Sequence, residues 1–174
     1  KRLRPGESGL LVLDWWNGNR TPLSDTDLTG VILGLSLSTR AEEIYMALIE
    51  ATAFGTRMII EEYEKNGVSL DSIAAGGGIA VKNPFLMQIY SDVCKREIKI
   101  SGSTQAPALG SAIFASVACG YYSGIDEATQ ELSNLREKKF VPNPENSEMY
   151  DKLYAEYKRL FNIFGKDRAM MKNL

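Results

Sequence analysis

Between Ile73 and Val93 the chain reads IAAGGGIAVKNPFLMQIYSDV. Three consecutive glycines, Gly76, Gly77 and Gly78, follow a short apolar run, and Asn83-Pro84 opens what reads as an amphipathic helix. Glycine permits positive φ and leaves no Cβ in the way, so a flat or bulky ligand can touch the backbone there. A following helix capped by Asn83 would turn free N–H groups and a partial positive charge toward the same crevice. That chemistry suits an adenine or a ribose. It suits a phosphate less well: neither GxxxxGKS/T nor GxGxxG is present, and in GGGIAVKN Lys82 comes only four residues after the last glycine. The same residues also make a tight strand-to-helix turn that binds nothing, since such junctions favour glycine and an Asn cap. On the residues alone, both readings stand.

Other chemistry is narrowed by what the chain does not contain. There is no histidine, which removes Ser-His and Cys-His nucleophiles and HExxH metal sites and leaves carboxylates, lysines or groups outside this chain. The two cysteines, Cys94 and Cys119, both fall in apolar helical contexts and read as reduced packing residues. Twenty Lys plus Arg against twenty-two Asp plus Glu give a net charge of −2, with no basic face for nucleic acid or anionic membrane. Apolar runs stop well short of the roughly 20 residues of a membrane span, and KRLRPGESG has no signal-peptide core. A cytoplasmic location is expected.

Several elements must position these residues. Gly9 to Leu13 reads as a buried strand, followed by the loop DWWNGNRTP, whose Trp15 and Trp16 are expected to anchor it to the core. Thr39-Arg-Ala-Glu42 is a capping box that starts a long helix with an apolar stripe of Ile44, Ala47, Leu48, Ala51, Phe54, Gly55, Met58 and Ile59, stopped by Asn66-Gly67. The charges at its ends, Glu42, Glu43, Glu61, Glu62, Glu64 and Lys65, read as solvated surface. Ile73 to Ala75 is a brief strand that ends at the glycines. The alternation Glu97-Ile98-Lys99-Ile100 is another strand, and Ala106 to Gly120 a small-residue helix suited to close packing. A weaker helix over 125–135, the connector FVPNPENS, and a last helix over 148–165 with Met149, Leu153, Tyr157, Leu160 and Phe164 inward complete the chain.

Strands alternating with helices predict an α/β fold with a mainly parallel sheet flanked by helices in three layers, and ligands in such folds gather at the carboxyl ends of strands. The glycines lie at one such end. At 174 residues with 44% hydrophobic and 24% charged residues, one domain over 1–174 is expected, with 125–174 as its helical extension.

Four stretches carry a resemblance: DWWNGNRTP, DTDLTGVILGLSLSTRAEEIYMALIEATAFGTR, GGIAVKNPFLMQIYSDV, and the Gln-Ala-Pro-Ala-Leu-Gly-Ser-Ala-Ile-Phe-Ala run from Gln105. In order and spacing, over roughly Gly9 to Gly124, they resemble the C-terminal part of the FGGY carbohydrate kinases. The Trp-Trp-Asn-Gly-Asn-Arg loop and the Lys-Asn-Pro after the glycines look like the branch that phosphorylates L-ribulose. Asn19 and Gln105 stand where many other members have Glu.

The resemblance implies an actin-like, ribonuclease-H-like ATPase fold, ATP with Mg2+, and phosphoryl transfer to a ketopentose hydroxyl, giving L-ribulose 5-phosphate. It also implies a possible homodimer. It maps an adenosine-binding motif onto Gly77, Gly78 and Asn83, with Gly76 adjoining. The family's first phosphate loop, its general-base aspartate, its second phosphate loop and most sugar contacts have no counterpart here, so the chain reads as a C-terminal fragment, inactive alone, with no catalytic residue of its own. Two alternatives remain open: a kinase for D-ribulose or xylulose, and a non-catalytic actin-like nucleotide-binding module.

Overall fold

In the computed structural model, residues 3–166 and 171 are described. They fall into two compact units, one drawn from residues 1–70, 89–95 and 142–174 and the other from 71–88 and 96–141.

The first unit is organised by α1 (Ala41–Lys65). Its start lies one residue later than the Thr39 capping box predicts. Thr39 instead closes a local turn, its hydroxyl accepting from the Ser36 amide at 2.8 Å, while the Arg40 amide donates to the Glu43 carboxylate at 2.8 Å. Residues Leu10 and Val12, flanking and within β1 (Leu11–Leu13), pack on Ala47 and Ala51 of α1, with Ile32 of β2 (Val31–Leu33) alongside. β1 and β2 pair antiparallel, Leu11 opposite Leu33 and Leu13 opposite Val31. α1 ends as predicted at Asn66, followed by Gly67 at φ +82.

The last helix, α6 (Pro144–Lys166), begins four residues earlier than predicted, and its inward face is shifted. Tyr150, Tyr154, Tyr157, Leu160 and Phe161 are buried, whereas Met149 is 44% exposed. The reason is aromatic packing. Phe54 of α1 lies 5.3 to 6.0 Å, ring centre to ring centre, from Tyr157, Tyr154 and Tyr150, and Trp15 meets Phe161 edge-on at 5.2 Å. Such pairs contribute about 0.5–1.5 kcal/mol each beyond their burial, which favours this face over the Met149 and Leu153 one. The start of α6 is fixed from α3 (Pro84–Cys94): the buried Asp92 carboxylate accepts the Asn143 amide at 2.8 Å and the Asn146 Nδ2 at 2.9 Å.

Arg57 joins the elements electrostatically. It donates to Glu61 at 3.2 Å, to Asp151 at 2.8 Å and to the Val93 carbonyl at 3.1 Å, and its guanidinium lies 4.2 Å from the Tyr154 ring centre. Glu61, read from sequence as solvated surface, is therefore part of a half-buried network.

Trp15 anchors its loop as expected, at 3% exposure, but Trp16 does not; it is 59% exposed and its indole lies over Gly30. Neighbouring side chains on an extended stretch point to opposite sides, so only one of the pair can face the core. Cys94 is buried and Cys119, just past a helix end, is exposed; both are free thiols.

The second unit is a three-stranded sheet ordered β3-β4-β5 with short helices. β3 (Ser72–Ala75) and β4 (Glu97–Ser101) pair parallel, Ile73 opposite Ile98 and Ala75 opposite Ile100. β5 (Leu135–Phe140) runs antiparallel to β4, Phe140 opposite Ile98, with a register shift between Lys99 and Ser101. The α/β class holds, but the expected mainly parallel sheet does not form: among the strand pairs of the described residues only β3–β4 is parallel, and β1–β2 and β4–β5 are antiparallel. β5 is unforeseen: it occupies residues that sequence patterning reads as helix end and connector, and α5 (Ile125–Leu132) stops three residues earlier than predicted. α4 (Ala106–Ala118) forms as predicted, and its small residues allow a close approach at its first turn.

Candidate functional site

The three glycines sit where the fold classes that bind nucleotides place them, directly after the carboxyl end of β3. Gly76 is constrained by packing: a Cβ there would lie 3.0 Å from the Ala106 Cβ at the start of α4. Gly77 is constrained by conformation. Its φ of +90 and ψ of 173 fall in a region that glycine alone occupies readily. Gly78 has neither constraint, and nothing lies within 4 Å of a Cβ built on it or on Gly77. Open space therefore stands over two consecutive backbone units at a strand end.

Asn83 lies at a joint that the sequence does not reveal. The glycines lead into a five-residue helix, α2 (Gly78–Lys82), and Asn83 separates it from α3. Its Oδ1 accepts the Leu86 amide at 3.1 Å, so the expected cap of the Pro84 helix is present. With the side-chain oxygen so engaged, the Nδ2 group is left as the donor that a ligand could use. The free amides of that helix, however, begin beyond Asn83 and not directly at the glycines, because α2 intervenes.

Among the described residues no three His, Cys, Asp or Glu side chains converge in a way that could hold a metal ion. The donor set for a divalent cation is thus not found in these residues, and no step through Mg2+ is derived from them. No helix among them is long and apolar enough to cross a membrane.

Sequence reasoning missed a second site, which belongs wholly to the first unit. A cavity of about 300 Å³ lies beneath the loop over 14–22, floored by Thr52, Gly55 and Thr56 of α1 and walled by Tyr90 and Tyr157. The loop above it is closed by paired backbone bonds, Asn19 N–H to Asp25 C=O at 2.7 Å and Asp25 N–H to Asn19 C=O at 2.9 Å. Asn19 Oδ1 also accepts the Leu23 amide at 3.1 Å. Burial raises Asp14 above the ordinary carboxylate range, its own backbone amide opposing the shift. Burial likewise raises Tyr90, whose hydroxyl is hydrogen-bonded with Thr52 and Thr56. Two sequence features mark this cavity: the loop DWWNGNRTP, which lines it with Asp14, Asn19 and Arg20, and the pair Thr52 and Thr56, four residues apart on an otherwise apolar helix face.

The sequence and the fold both have relatives. The profile described as the FGGY family of carbohydrate kinases, C-terminal domain, matches residues 3–119. A ribulokinase from Bacillus licheniformis is 57% identical over 176 aligned positions, which cover 99% of this chain and 32% of that protein. A ribulokinase from Geobacillus thermodenitrificans is 54% identical, covering 98% of this chain and 31% of its own length. Among solved structures, ligand-bound xylulose kinase from Lactobacillus acidophilus superimposes with a TM-score of 0.81 at 25% identity, over 94% of this chain and 33% of that one. The chain thus spans about a third of the length of the relatives it matches. With the glycines at the end of β3 and a profile match over 3–119, the chain belongs to the FGGY family of carbohydrate kinases and contains the family's C-terminal domain.

Proposed function

We propose that the parent protein is an ATP-dependent L-ribulokinase, forming L-ribulose 5-phosphate, and that this chain is its C-terminal nucleotide-binding domain. Gly76, Gly77, Gly78 and Asn83 supply the adenosine-binding face. The observation that carries the site is the open space over Gly77 and Gly78 at the carboxyl end of β3. The sugar assignment is supported by ribulokinases 57% and 54% identical to nearly the whole chain. Transfer of a phosphoryl group depends on positioning and on stabilising phosphate charge. In this reading the chain positions the purine and ribose, while the triphosphate, its Mg2+ and the base that accepts the sugar proton are handled by residues outside it. The protein acts in the cytoplasm, and a homodimer is its proposed assembly.

Gly78 gives the cleanest test. Its Cβ would enter free space and its backbone is not in the left-handed region, so Gly78→Val perturbs the fold little. In the full-length protein it raises the ATP KM by tenfold or more, on the order of 1.4 kcal/mol. An unchanged ATP KM and kcat would remove these glycines from the site. A panel of ketopentoses separates the sugars: kcat/KM highest for L-ribulose supports the assignment. A preference for xylulose, the substrate in the name of the 25% identical structure, would redirect it.

A further inference from the structure

Both ends of the turn between β4 and α4 reach the first of the glycines. A Cβ on Gly76 would lie 3.0 Å from the Ala106 Cβ and 3.9 Å from the Ser101 Cβ, and all three residues belong to the second unit. Ordinary contact between such atoms begins at about 3.4 Å. The Ala106 methyl therefore fills the space into which a side chain at 76 would grow. Gly76 is not at positive φ, so this contact, and not its backbone conformation, is what excludes a larger residue.

The turn that carries Ala106 is itself held in place. The Gly102 amide donates to the Asn134 carbonyl at 2.9 Å, and Arg136 Nε donates to the Ser101 carbonyl at 3.2 Å. A Cβ on Gly102 would lie 1.5 Å from Asn134 Oδ1, so the Asn134 side chain sits where only glycine leaves room. Pro107, second in α4, restricts Ala106 as well as itself. Ala106 thus stands on a turn fixed by the segment entering β5 at one end and by proline at the other. Close-packed contacts pass displacements on instead of absorbing them. What fixes Ala106 consequently fixes Gly76, and with it the backbone that runs straight into Gly77 and Gly78.

We propose that Ala106 is a positioning residue for the nucleotide: through Gly76, its methyl sets where the open backbone of Gly77 and Gly78 meets the adenosine. The inference rests on the adenosine reading of these glycines and adds to it a residue that acts through another. Its signature is a selective loss of ATP affinity that a smaller residue at 106 restores.

The test uses the full-length protein and measures kcat and the KM of ATP and of its preferred ketopentose, with urea unfolding as the check on folding. Gly76→Ala sets two methyl groups against each other and raises the ATP KM about tenfold, with the sugar KM unchanged. Adding Ala106→Gly makes room for the new methyl, and the double variant returns to within about threefold of wild type, a non-additive result expected of residues in contact. A clash of the residue-76 methyl with the ligand itself would not be relieved in this way. Ala106→Val adds bulk from the other partner with Gly76 intact, and should raise the ATP KM by a similar factor. Gly78→Val serves as the reference for the adenosine reading. If it raises the ATP KM while the Gly76 and Ala106 substitutions combine additively, or while Ala106→Val leaves the ATP KM unchanged, the inference is overturned and the adenosine reading stands. If Gly78→Val leaves the ATP KM unchanged, both fall. Equal rises in both KM values with a lowered urea midpoint would show that Ala106 serves only the fold, and would overturn the inference as well.

Discussion

Replacing Glu50 by glutamine tests how burial is balanced in the first unit. Glu50 sits on α1, only 3% exposed, and its carboxylate accepts the Gly6 amide at 3.2 Å and a hydrogen bond from Tyr150. Desolvation outweighs both bonds and lifts its pKa from 4.5 to about 7. The folded state therefore holds this proton more tightly than the unfolded chain does. Below about 4.5 both states are protonated and the full stability is present; as pH rises through about 7 the folded state must give up the proton at a cost. The gap between 4.5 and about 7, at about 1.4 kcal/mol per pH unit, comes to about 3 kcal/mol lost by pH 8.5. Glutamine keeps the oxygen that accepts from Gly6 and cannot ionise. Glu50→Gln should consequently gain on wild type as pH rises, the difference growing by about 3 kcal/mol between about pH 4.5 and about 8.5. Urea unfolding of the two proteins side by side measures it, because every other titrating group cancels in the comparison. Parallel stability curves across that range, or a gap that closes toward high pH, would refute the reasoning.

Two further substitutions probe the joints. Asn83→Ala removes the cap on Leu86 and should cost about 1 kcal/mol of stability, seen as a lower urea midpoint. Asn83→Asp retains a capping oxygen but loses the Nδ2 donor, so its stability should match wild type while its ATP KM rises; an unchanged KM would assign Asn83 to the cap alone. Arg57→Ala removes the guanidinium's bonds to Glu61, Asp151 and the Val93 carbonyl, while Asp151 keeps Lys95, Glu61 keeps Lys158, and Lys158 stays over the Tyr154 ring. The expected loss is about 1–2 kcal/mol, and Arg57→Lys should recover only part of it because a single ammonium cannot reproduce the guanidinium fork.

The sequence makes an element visible where its own burial sets the pattern. β1, β3, β4, α1 and α4 follow from apolar runs and periodicity, and each is found within a few residues of its expected span. β5 is different. Five of its six residues are exposed, and LREKKF has no alternation to detect. It is held by pairing with β4, by a Lys139–Glu97 contact at 2.7 Å and by the Arg136 side chain donating to the Ser101 carbonyl at 3.2 Å. Those partners lie 34 or more positions away, beyond the reach of local patterning. The face of α6 was misread for a related reason: Tyr counts as half-polar in a sequence pattern, but three tyrosines packed edge-on or tilted around Phe54 are fully buried, while Met149 stays exposed. Of the candidate sites, the placement of Gly76 to Gly78 at a strand end was legible because glycine type and the end of an apolar run coincide. The cavity was not, since its lining comes from residues between 14 and 161 that only the fold assembles.

The paired backbone bonds between Asn19 and Asp25 have a consequence for how this chain can vary over time. Because the two amides and two carbonyls answer one another at 2.7 and 2.9 Å, the intervening stretch has a fixed length. An inserted or deleted residue there would break both bonds together. Across descendants of this sequence the segment from 19 to 25 should therefore change in residue type but keep its count.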